Sequence, residues 1–482
     1  MRSVPASSRR LSRRDDEPGA LTCASADAEW SPLREVMIHR PGIEMVFGLL
    51  QPYAFLFERA FSFTEAVREH HQLQSALEEE GVKVRTLQQF ALEVAEANPG
   101  VARRVRAQIP RIVRYTGPAE MVRRSRETLR QNLKEFDAET LFQILLLQPS
   151  IRLDRRAGFR GIAPQVALHT PLANLCYMRD QQALTQRGLI LGRMAKPQRR
   201  LESWITGTVL RGARAPIVGE VKAPGTFEGG DFLPGGEWAL LGVGDRTNGS
   251  AIQQILRMPH GYDEIAVVEQ PSHPLLPPGD RDPMINMHLD TYVNLAGHDV
   301  AIGSELLLKV ARTQVYRRRG SRMVPADRPT NLADYLEQRG IQVVPISTIE
   351  QMSYASNFLT IRDHRIVAVD VRRTAERVLA QLARGAKRRP RRYGRLFRTA
   401  SRELRELQST DELFPRSPNL RSAKVMVRSL PLEEITGGYG GAHCLTCVLD
   451  RRASLPTLAG GGPSRSSGKV AGANQHNWDT RV

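Results

Sequence analysis

Residues 230–269 read GDFLPGGEWALLGVGDRTNGSAIQQILRMPHGYDEIAVVE, and they carry the pattern that decides the fold. Short apolar runs at residues 230–233, 238–243 and 264–269 are typical of strands. Between the second and the third run, residues 250–258 have apolar side chains at helical spacing. The stretch therefore predicts one unit with the order strand, strand, helix, strand.

The same order recurs further along the chain. The predicted elements of the next two units lie at residues 290–294, 300–302, 331–339 and 343–346, and then at 356–361, 366–370, 374–383 and 424–429. An extended pair at 175–178 and 189–194 precedes them. Repeated units of this kind close into a ring more readily than they form one open sheet. We therefore predict an α/β fold built from repeated ββαβ units.

The segments outside the repeats have other patterns. Residues 1–27 are polar and basic, and residues 451–482 are rich in Gly, Ser and Pro, so we expect both to be disordered tails. Apolar residues at helical spacing predict a small helical subdomain at residues 89–165. It would be inserted between residues 28–88 and 166–450 of the repeated framework.

Part of the net charge of +18 is local. Residues 384–402 contain only basic charges, within an insertion at about residues 385–422. Such a run can contact nucleic acid or anionic lipid. A solvated, partly disordered insertion explains it more simply, so we do not expect nucleic acid as a partner.

Cysteine content and hydropathy indicate the compartment. Four cysteines in 482 residues do not make a disulfide framework. The N-terminus lacks the apolar core of a secretory signal, and no apolar run is long enough to span a bilayer. We expect a reducing, cytoplasmic setting without membrane contact, in which Cys444 stays free to react. A homo-oligomer remains possible.

Two motifs bring acids together with a base. Met287-His288-Leu289-Asp290 lies in a β-rich stretch, where alternation would place His288 and Asp290 on one face. A lone histidine is more often structural, but the pair of His288 and Asp290 makes a functional site about as probable as a structural role. In Glu228-Gly-Gly-Asp231, the glycines allow close approach of the backbone, with an acid on either side. A hairpin turn with solvated acids fits poorly, because Phe232 enters an apolar run.

A third motif supplies a thiol. Tyr439-Gly-Gly-Ala-His-Cys444 is a glycine-rich loop ahead of a predicted strand at residues 445–449. Such a loop can hold a nucleophilic cysteine whose pKa is lowered by its neighbours. Cys447 makes a Cys-x-x-Cys pair with Cys444, so zinc and disulfide exchange are alternatives. A structural zinc site needs four ligands and the sequence has no second pair, so we expect no metal.

Together, these motifs resemble those of the arginine deiminases of the guanidine-modifying superfamily. The resemblance extends from about residue 30 to residue 450. It rests on Arg179-Asp180, Glu228-Gly-Gly-Asp231, Met287-His288-Leu289-Asp290 and His443-Cys444. It implies a five-bladed, pseudo-symmetric ββαβ propeller, the pentein fold, with an inserted α-helical subdomain.

The resemblance also implies catalytic roles. Asp180 and Asp290 would clamp a planar guanidinium through charge-assisted hydrogen bonds. Cys444 would attack the guanidinium carbon as a thiolate and form a covalent thiouronium intermediate. His288, oriented by Glu228, would protonate the departing ammonia and then activate water.

Further positions match substrate-binding residues of that family. They are Asp231 as the remaining acid, Arg199 and Arg246 for the substrate carboxylate, and Asn174 and Tyr177 near the substrate. Tyr439 stands where the family usually has an arginine, which leaves the identity of the guanidino substrate open.

The implied function is hydrolysis of L-arginine to L-citrulline and ammonia, without cofactor or metal. Three alternatives remain open. The chain could be an amidinotransferase, a deiminase for another guanidino compound, or a nucleic-acid-binding protein that uses the basic run at residues 384–402.

Overall fold

The computed structural model describes residues 19–155, 162–280, 282, 285–326 and 328–452, which form a mixed α/β fold. Its helices are α1 Ile43–Leu49, α2 Phe63–Glu79, α3 Leu87–Ala97, α4 Pro99–Ile112, α5 Ala119–Asn132, α6 Ala138–Leu147, α7 Arg200–Gly212, α8 Gly249–Ile255, α9 Glu305–Leu308, α10 Leu332–Glu337, α11 Thr348–Met352, α12 Val371–Arg388, α13 Pro390–Ser409 and α14 Pro418–Ser422.

The strands follow the same numbering scheme. They are β1 Leu33–Ile38, β2 Lys83–Thr86, β3 Arg114–Thr116, β4 Pro149–Arg155, β5 Ile162–Leu168, β6 Gln182–Thr185, β7 Gly188–Leu191, β8 Ile217–Glu220, β9 Phe232–Pro234, β10 Trp238–Val243, β11 Glu264–Glu269, β12 Val293–Leu295, β13 Val300–Gly303, β14 Arg312–Arg319, β15 Arg322–Pro325, β16 Thr330–Asn331, β17 Gln342–Pro345, β18 Leu359–Arg362, β19 Arg365–Val369, β20 Met426–Leu430 and β21 Cys447–Arg451.

The predicted order of strand, strand, helix, strand is present in the repeated part of the chain. In each unit the first strand pairs antiparallel with the second, and the second pairs parallel with the third: β6-β7-β8, β9-β10-β11, β12-β13-β17 and β18-β19-β20. Strands β10 and β11 occupy the predicted residues. The central strands β10 and β13 of their units are continuous apolar runs, because both faces of each strand are buried.

A further unit of the same type joins the two ends of the described chain. Strand β1 pairs antiparallel with β21, near the C-terminus, and parallel with β2. The last strand of the chain therefore completes a sheet that the first strand begins. This pairing brings the loop before β21 close to the N-terminal segment.

Neighbouring units contact one another through short turns and side chains near the starts of their first strands. The backbone N–H of Arg179, before β6, donates to the carbonyl of Cys444, before β21, at 3.0 Å. The amide of Asn294 in β12 donates to the carbonyl of Phe358 at 2.8 Å. These turns carry most of the predicted site residues.

The segment predicted as a helical subdomain also contains a sheet. Helices α3 to α6 are present, but β3, β4 and β5 form a three-stranded sheet in the same region. The predicted helices of residues 89–165 are thus accompanied by a sheet that the prediction of a helical subdomain did not include. That prediction read only the helical periodicity of the apolar residues before Gln148, and short polar strands give little periodic signal.

The basic insertion is an ordered pair of helices, which corrects the expectation of partial disorder. Helices α12 and α13 pack on each other, and the apolar side chains of Leu382, Leu396 and Leu404 enter the core. Arg398 and Arg402 lie on the exposed face. The basic run is therefore the solvated face of an amphipathic hairpin.

Parts of both predicted tails are ordered, which corrects the prediction for residues 19–27 and 451–452. Leu21, Ala24 and Ala26 are buried, and the N–H of Leu21 donates to the carbonyl of Ala213 at 2.8 Å. Arg451 is buried within β21. Small apolar residues and single arginines do not stand out in a polar, basic composition, which explains the error. The remaining parts of the predicted tails, residues 1–18 and 453–482, lie outside the described residues.

One extension of the fold has no counterpart in the prediction. The hairpin of β14 and β15 continues the sheet of β9, β10 and β11, because β14 pairs antiparallel with β11.

Within the described ranges, no helix combines the length and the apolar character that crossing a membrane would need.

Candidate active site

Predicted site residues from distant parts of the chain line one small cavity. Its lining residues are Leu56, Asn174, Tyr177, Asp180, Arg199, Arg246, Met287, His288, Gly438, Tyr439 and Cys444. Glu228, Asp231 and Asp290 lie behind this lining. The structure thus brings the predicted site residues into one region.

Cys444 is held by contacts from another unit. Its backbone N–H donates to the side-chain oxygen of Asn357 at 3.1 Å, and the amide nitrogen of Asn357 lies 3.2 Å from the Cys444 Sγ. The same oxygen of Asn357 accepts from the N–H of Gly441 at 2.8 Å. One buried amide therefore fixes both the loop and the sulfur.

The electrostatic environment keeps the Cys444 thiol protonated. Burial raises the pKa of Cys444 well above its usual value, and the nearby carboxylates of Asp290 and Asp180 raise it further. The Sγ lies 3.6 Å from Asp290 Oδ2. The expectation that neighbouring groups lower the pKa of this thiol is therefore wrong for the free site.

His288 lies at the start of a turn, not in a strand. Residues Leu289–Thr291 form a short 3-10 turn, and the Thr291 hydroxyl donates to the His288 carbonyl at 2.6 Å. The N–H of Leu289 donates to Asp231 Oδ1 at 3.1 Å. These side-chain hydrogen bonds compete with the backbone hydrogen bonds of a strand. The prediction that His288 and Asp290 lie in a strand is therefore wrong.

His288 has acidic neighbours on both ring nitrogens. Its Nε2 lies 3.0 Å from Glu228 Oε2, and its Nδ1 lies 3.7 Å from Asp180 Oδ1. Burial alone would lower the pKa of His288, but the carboxylates of Asp180, Glu228 and Asp231 outweigh it and raise the pKa to about 9. The imidazole is therefore a cation at neutral pH.

Asp180 and Asp290 each have one carboxylate oxygen without a hydrogen bond among the described residues. Asp180 Oδ2 accepts a hydrogen bond from Arg199 at 2.7 Å, and Asp290 Oδ2 is bonded to His443 Nδ1 at 2.8 Å. The Oδ1 atoms of both acids are buried and have no hydrogen-bond partner among the described residues. Burial opposes ionisation of Asp290, but His443 holds its pKa below the usual value.

The two predicted arginines have different surroundings. The guanidinium of Arg199 donates to both oxygens of Glu202 and to Asp180, so two acids already compensate its charge. Arg246 is buried, and its Nε and Nη1 have no hydrogen-bond partner within the described ranges. Its Nη1 lies 3.7 Å from Glu228 Oε2. Arg246 therefore has more capacity for a ligand than Arg199.

Asp231 and the glycines before it lie behind His288. Burial raises the pKa of Asp231 to about 6. A Cβ atom at Gly230 would lie 3.0 Å from the His288 ring, and one at Gly229 would meet the carbonyl oxygen of Gln182 at 2.2 Å. The glycines thus permit close approach of the protein to itself and to His288, where close approach to a ligand was expected.

Asn174, Tyr177 and Tyr439 form part of the cavity wall. The Asn174 amide donates to the carbonyl of Phe55 at 2.6 Å, and the Tyr177 hydroxyl donates to that of Ile435 at 2.6 Å. Their side-chain polar groups are thereby fixed. Tyr439 adopts a left-handed backbone conformation with a φ of 70°.

Two groups near the sulfur were not among the predicted site residues. Asn357 stands in a stretch read only as a strand start, and no motif marks it. Glu29 is buried, with its Oε1 3.7 Å from His443 Nε2 and its Oε2 3.5 Å from Arg451 Nη2. Only the folded chain places these groups beside the loop of Cys444.

Comparison with known sequences adds a family to this geometry. The sequence model of the family described as "Arginine deiminase" matches residues 53–451. The chain belongs to the arginine deiminase family. Curated arginine deiminases with similar sequences include that of Halobacterium salinarum, which is 24% identical over 89% of this chain and 97% of its own. That of Streptococcus agalactiae serotype V is 26% identical over 56% of this chain and 67% of its own.

Two solved structures align with most of the chain at low sequence identity. An amidinotransferase from Microseira wollei has 14% sequence identity and a TM-score of 0.47, and the alignment covers 90% of this chain and 99% of that one. The N-terminal domain of a cyanobacterial arginine dihydrolase has 13% identity and a TM-score of 0.47, with 86% and 97% covered.

This member of the arginine deiminase family has an outer cavity next to the inner one. The two cavities share Met287 and Tyr439 as wall residues. The outer cavity, of about 1080 Å³, is lined in part by Arg384, Arg388 and Tyr393 of α12 and α13. The basic hairpin therefore forms part of the wall of the cavity that adjoins the one lined by Cys444.

Ligand-atom distances alone would allow a metal ion between Asp180, Glu228 and His288. One of the two imidazole nitrogens of His288, Nε2, is already hydrogen-bonded to Glu228. Cys444 and Cys447 are both unpaired thiols.

Proposed function

We propose that this chain hydrolyses L-arginine to L-citrulline and ammonia through a covalent thiouronium intermediate on Cys444. The observation that carries the proposal is the pair of buried oxygens without hydrogen-bond partners among the described residues, Asp180 Oδ1 and Asp290 Oδ1, on the two acids whose charges act on Cys444. Buried anionic oxygens without donors are costly. A bound guanidinium supplies the missing N–H donors and the opposite charge.

Substrate binding would also activate the nucleophile. The carboxylates of Asp290 and Asp180 hold the pKa of Cys444 high in the free site, after the effect of burial. A guanidinium between them cancels their charge and places a positive charge near the sulfur, which favours the thiolate. The thiol proton then passes to solvent, where the ammonia released later takes it up as ammonium, while the bond from sulfur to the guanidinium carbon forms.

His288 would serve as the acid and then as the base. Its pKa of about 9 provides a proton at neutral pH for the departing amino group, which leaves as ammonia. The neutral imidazole then takes a proton from the water that attacks the thiouronium carbon. When the carbon–sulfur bond breaks, the proton of the newly attached hydroxyl passes to the sulfur, so that citrulline is released and both the thiol and the imidazolium are restored. The thiol supplies the nucleophile and the carboxylates the charge, so we propose that no metal or cofactor takes part.

The carboxylate of the substrate would bind Arg246, whose Nε and Nη1 lack partners among the described residues. Arg199 would contribute mainly by positioning Asp180 through their 2.7 Å hydrogen bond. Asn174 and Tyr177 would shape the cavity around the substrate, and Asp231 would support His288 from behind. Tyr439 would close the side where the family usually has an arginine.

The proposal includes the wider architecture. We propose that the five ββαβ units form a pseudo-symmetric propeller with the reacting groups near its axis, and that residues 89–165 are an insertion into it. The unpaired thiols of the described chain favour a reducing, cytoplasmic compartment. The partner would be a small guanidino compound.

Product analysis tests this function. Wild-type protein incubated with L-arginine should give citrulline and ammonia, and Cys444→Ala should give neither. Cys447→Ala is the matched control, since this buried thiol stands outside the cavity lining, and it should retain activity. Ornithine and guanidinoacetate formed with added glycine would indicate amidinotransfer instead.

Agmatine, which lacks the carboxylate, tests the role of Arg246. We expect Arg246→Met to raise KM for L-arginine strongly and to change KM for agmatine little. Equal losses for both substrates would contradict the assignment of Arg246 to the carboxylate. Turnover of a methylated arginine or canavanine in preference to L-arginine would redirect the proposal to another guanidino substrate.

A further inference from the structure

A second cluster of metal-binding side chains lies outside the active site, on the turns of two adjacent hairpins. The turn between β12 and β13 carries His298 and Asp299, and the turn between β18 and β19 carries Asp363 and His364. We call these four residues the two-turn cluster. His298 is exposed, and Asp299 and His364 are half-buried, so ions can reach it from solvent.

The spacing of the cluster matches that of metal ligands. His364 Nε2 lies 2.9 Å from Asp299 Oδ1, and His298 Nδ1 lies 3.8 Å from the same oxygen. One ligand atom from each of these three residues falls within 4.8 Å of the others. Ligands of tetrahedral zinc are roughly 3.3 Å apart, because each lies about 2.0–2.2 Å from the ion. The two distances of 2.9 and 3.8 Å lie on either side of this value.

We propose that His298, Asp299 and His364 bind a divalent transition-metal ion of the zinc class, with water in the remaining position. Two imidazoles and one carboxylate favour such an ion over magnesium or calcium, which prefer oxygen ligands. The ion would tie the turn of one ββαβ unit to the turn of the next. The site is independent of the proposed reaction at Cys444.

Asp363 would act on the ligands from outside the ion. Its Oδ1 lies 3.2 Å from His364 Nδ1, an ion-pair contact on the ring nitrogen that the metal would not use. Its Oδ2 lies 2.8 Å from His298 Nδ1, a bond that the ion would replace. The carboxylate thus holds both imidazoles near their ligand positions.

The backbone conformation of both turns allows His298 and His364 to approach each other closely. The N–H of His298 donates to Asp363 Oδ1 at 2.8 Å, and the N–H of His364 donates to the carbonyl of Ala296 at 2.9 Å. A Cβ atom at Gly297 would lie 2.8 Å from His364 Cε1. His364 itself adopts a left-handed conformation with a φ of 59°, which is uncommon for a residue other than glycine.

Calorimetric titration with ZnCl₂ tests the proposal. The full-length Cys444→Ala chain is the parent, because it lacks the reactive thiol as a competing ligand. We expect one equivalent of zinc to bind at the cluster and to raise Tm. His298→Ala and His364→Ala should each weaken this binding by at least about tenfold, and Asp363→Asn by about 10–100-fold.

His71→Ala is the matched control, because His71 is an exposed histidine on α2 away from the cluster; it should bind zinc as the parent does. Addition of Co²⁺ to the parent gives a readout that needs no variant, since visible absorption bands report a tetrahedral imidazole and carboxylate site. A parent that binds no zinc and gives no such bands would overturn the proposal, and so would parent-like affinity in His364→Ala. The four groups would then form only a surface ion-pair cluster.

Discussion

At the scale of single residues, the sulfur that we propose as the nucleophile lies in an environment that holds it as a neutral thiol. Burial and the carboxylates of Asp290 and Asp180 raise the pKa of Cys444, while His288 nearby is protonated. A neutral thiol and an imidazolium are the wrong pair for attack on a neutral molecule. In the proposed reaction they become the right pair once a guanidinium has compensated the two acids, so we expect the charges to favour a cationic substrate.

The side chain of Asn357 gives the first prediction. Its amide contacts the Cys444 Sγ at 3.2 Å and its oxygen accepts from the backbone of Cys444 and Gly441. We expect Asn357→Ala to lower kcat on the order of 10²-fold, as for loss of one preorganised hydrogen bond. KM for L-arginine should change much less. Steady-state kinetics provide the measurement.

Asn294→Ala is the matched control for Asn357. Asn294 is also buried, and its amide donates to the carbonyl of Phe358, next to Asn357 in the chain. It does not line the cavity. A similar fall in kcat in both variants would show that general loss of packing, and not the contact with sulfur, causes the effect.

The pKa of His288 gives the second prediction. Folding raises it from 6.5 to about 9, so the folded state binds the proton more tightly than the unfolded state. The resulting stabilisation is complete below pH 6.5 and is lost as pH rises through 9. Urea unfolding of wild type and His288→Gln should therefore show a stability difference that shifts against wild type over this range. A difference that stays constant with pH would contradict the raised pKa.

At the scale of elements, the short turns between units decide which side chains meet. The residue types around His288, Glu228 and Cys444 were predictable from the sequence, because acids, a base and a thiol are rare next to glycines and buried apolar runs. The path of the chain through Leu289–Thr291 was not, because side-chain hydrogen bonds from Asp231 and Thr291 replace the strand ladder there. Such bonds depend on residues distant in sequence.

The hairpin of α12 and α13 gives the third prediction. Leu396 is fully buried in its apolar face, whereas Arg398 lies on the exposed face. We expect Leu396→Ala to lower the free energy of unfolding by about 2–5 kcal/mol. Arg398→Ala should stay within about 0.5 kcal/mol of wild type. Chemical denaturation checks both values, and equal stability of the two variants would mean that the hairpin does not pack as described.

At the scale of the whole molecule, the fold brings the ends of the described chain together and thereby assembles the site. Strand β21 pairs with β1, and the loop before β21 delivers Cys444 to turns from three other units. The repeated strands were predictable because their apolar runs are long and regular. The ordered structure of residues 19–27 and the hairpin of β14 and β15 were not predictable, since their burial depends on surfaces formed by distant segments.

Closure of the chain ends gives the fourth prediction. The guanidinium of buried Arg451 lies 3.5 Å from Glu29 and donates to the carbonyls of Ser31 and Thr360. Arg451→Leu leaves these groups without their partner, so we expect a loss of roughly 3–5 kcal/mol in the free energy of unfolding. Arg452→Leu removes a more exposed ion pair with Asp450 and should cost less than about 1 kcal/mol. Equal losses would argue against a buried closure.

The mass of the acid-quenched enzyme during turnover of L-arginine tests the covalent reaction most directly. Attack by Cys444 with departure of ammonia predicts an adduct equal to the whole substrate less one ammonia. Fragmentation of the peptide that contains Cys444 and Cys447 should place that adduct on Cys444. An adduct of the amidino group alone, an adduct on Cys447, or steady citrulline formation by the Cys444→Ala variant would contradict the account.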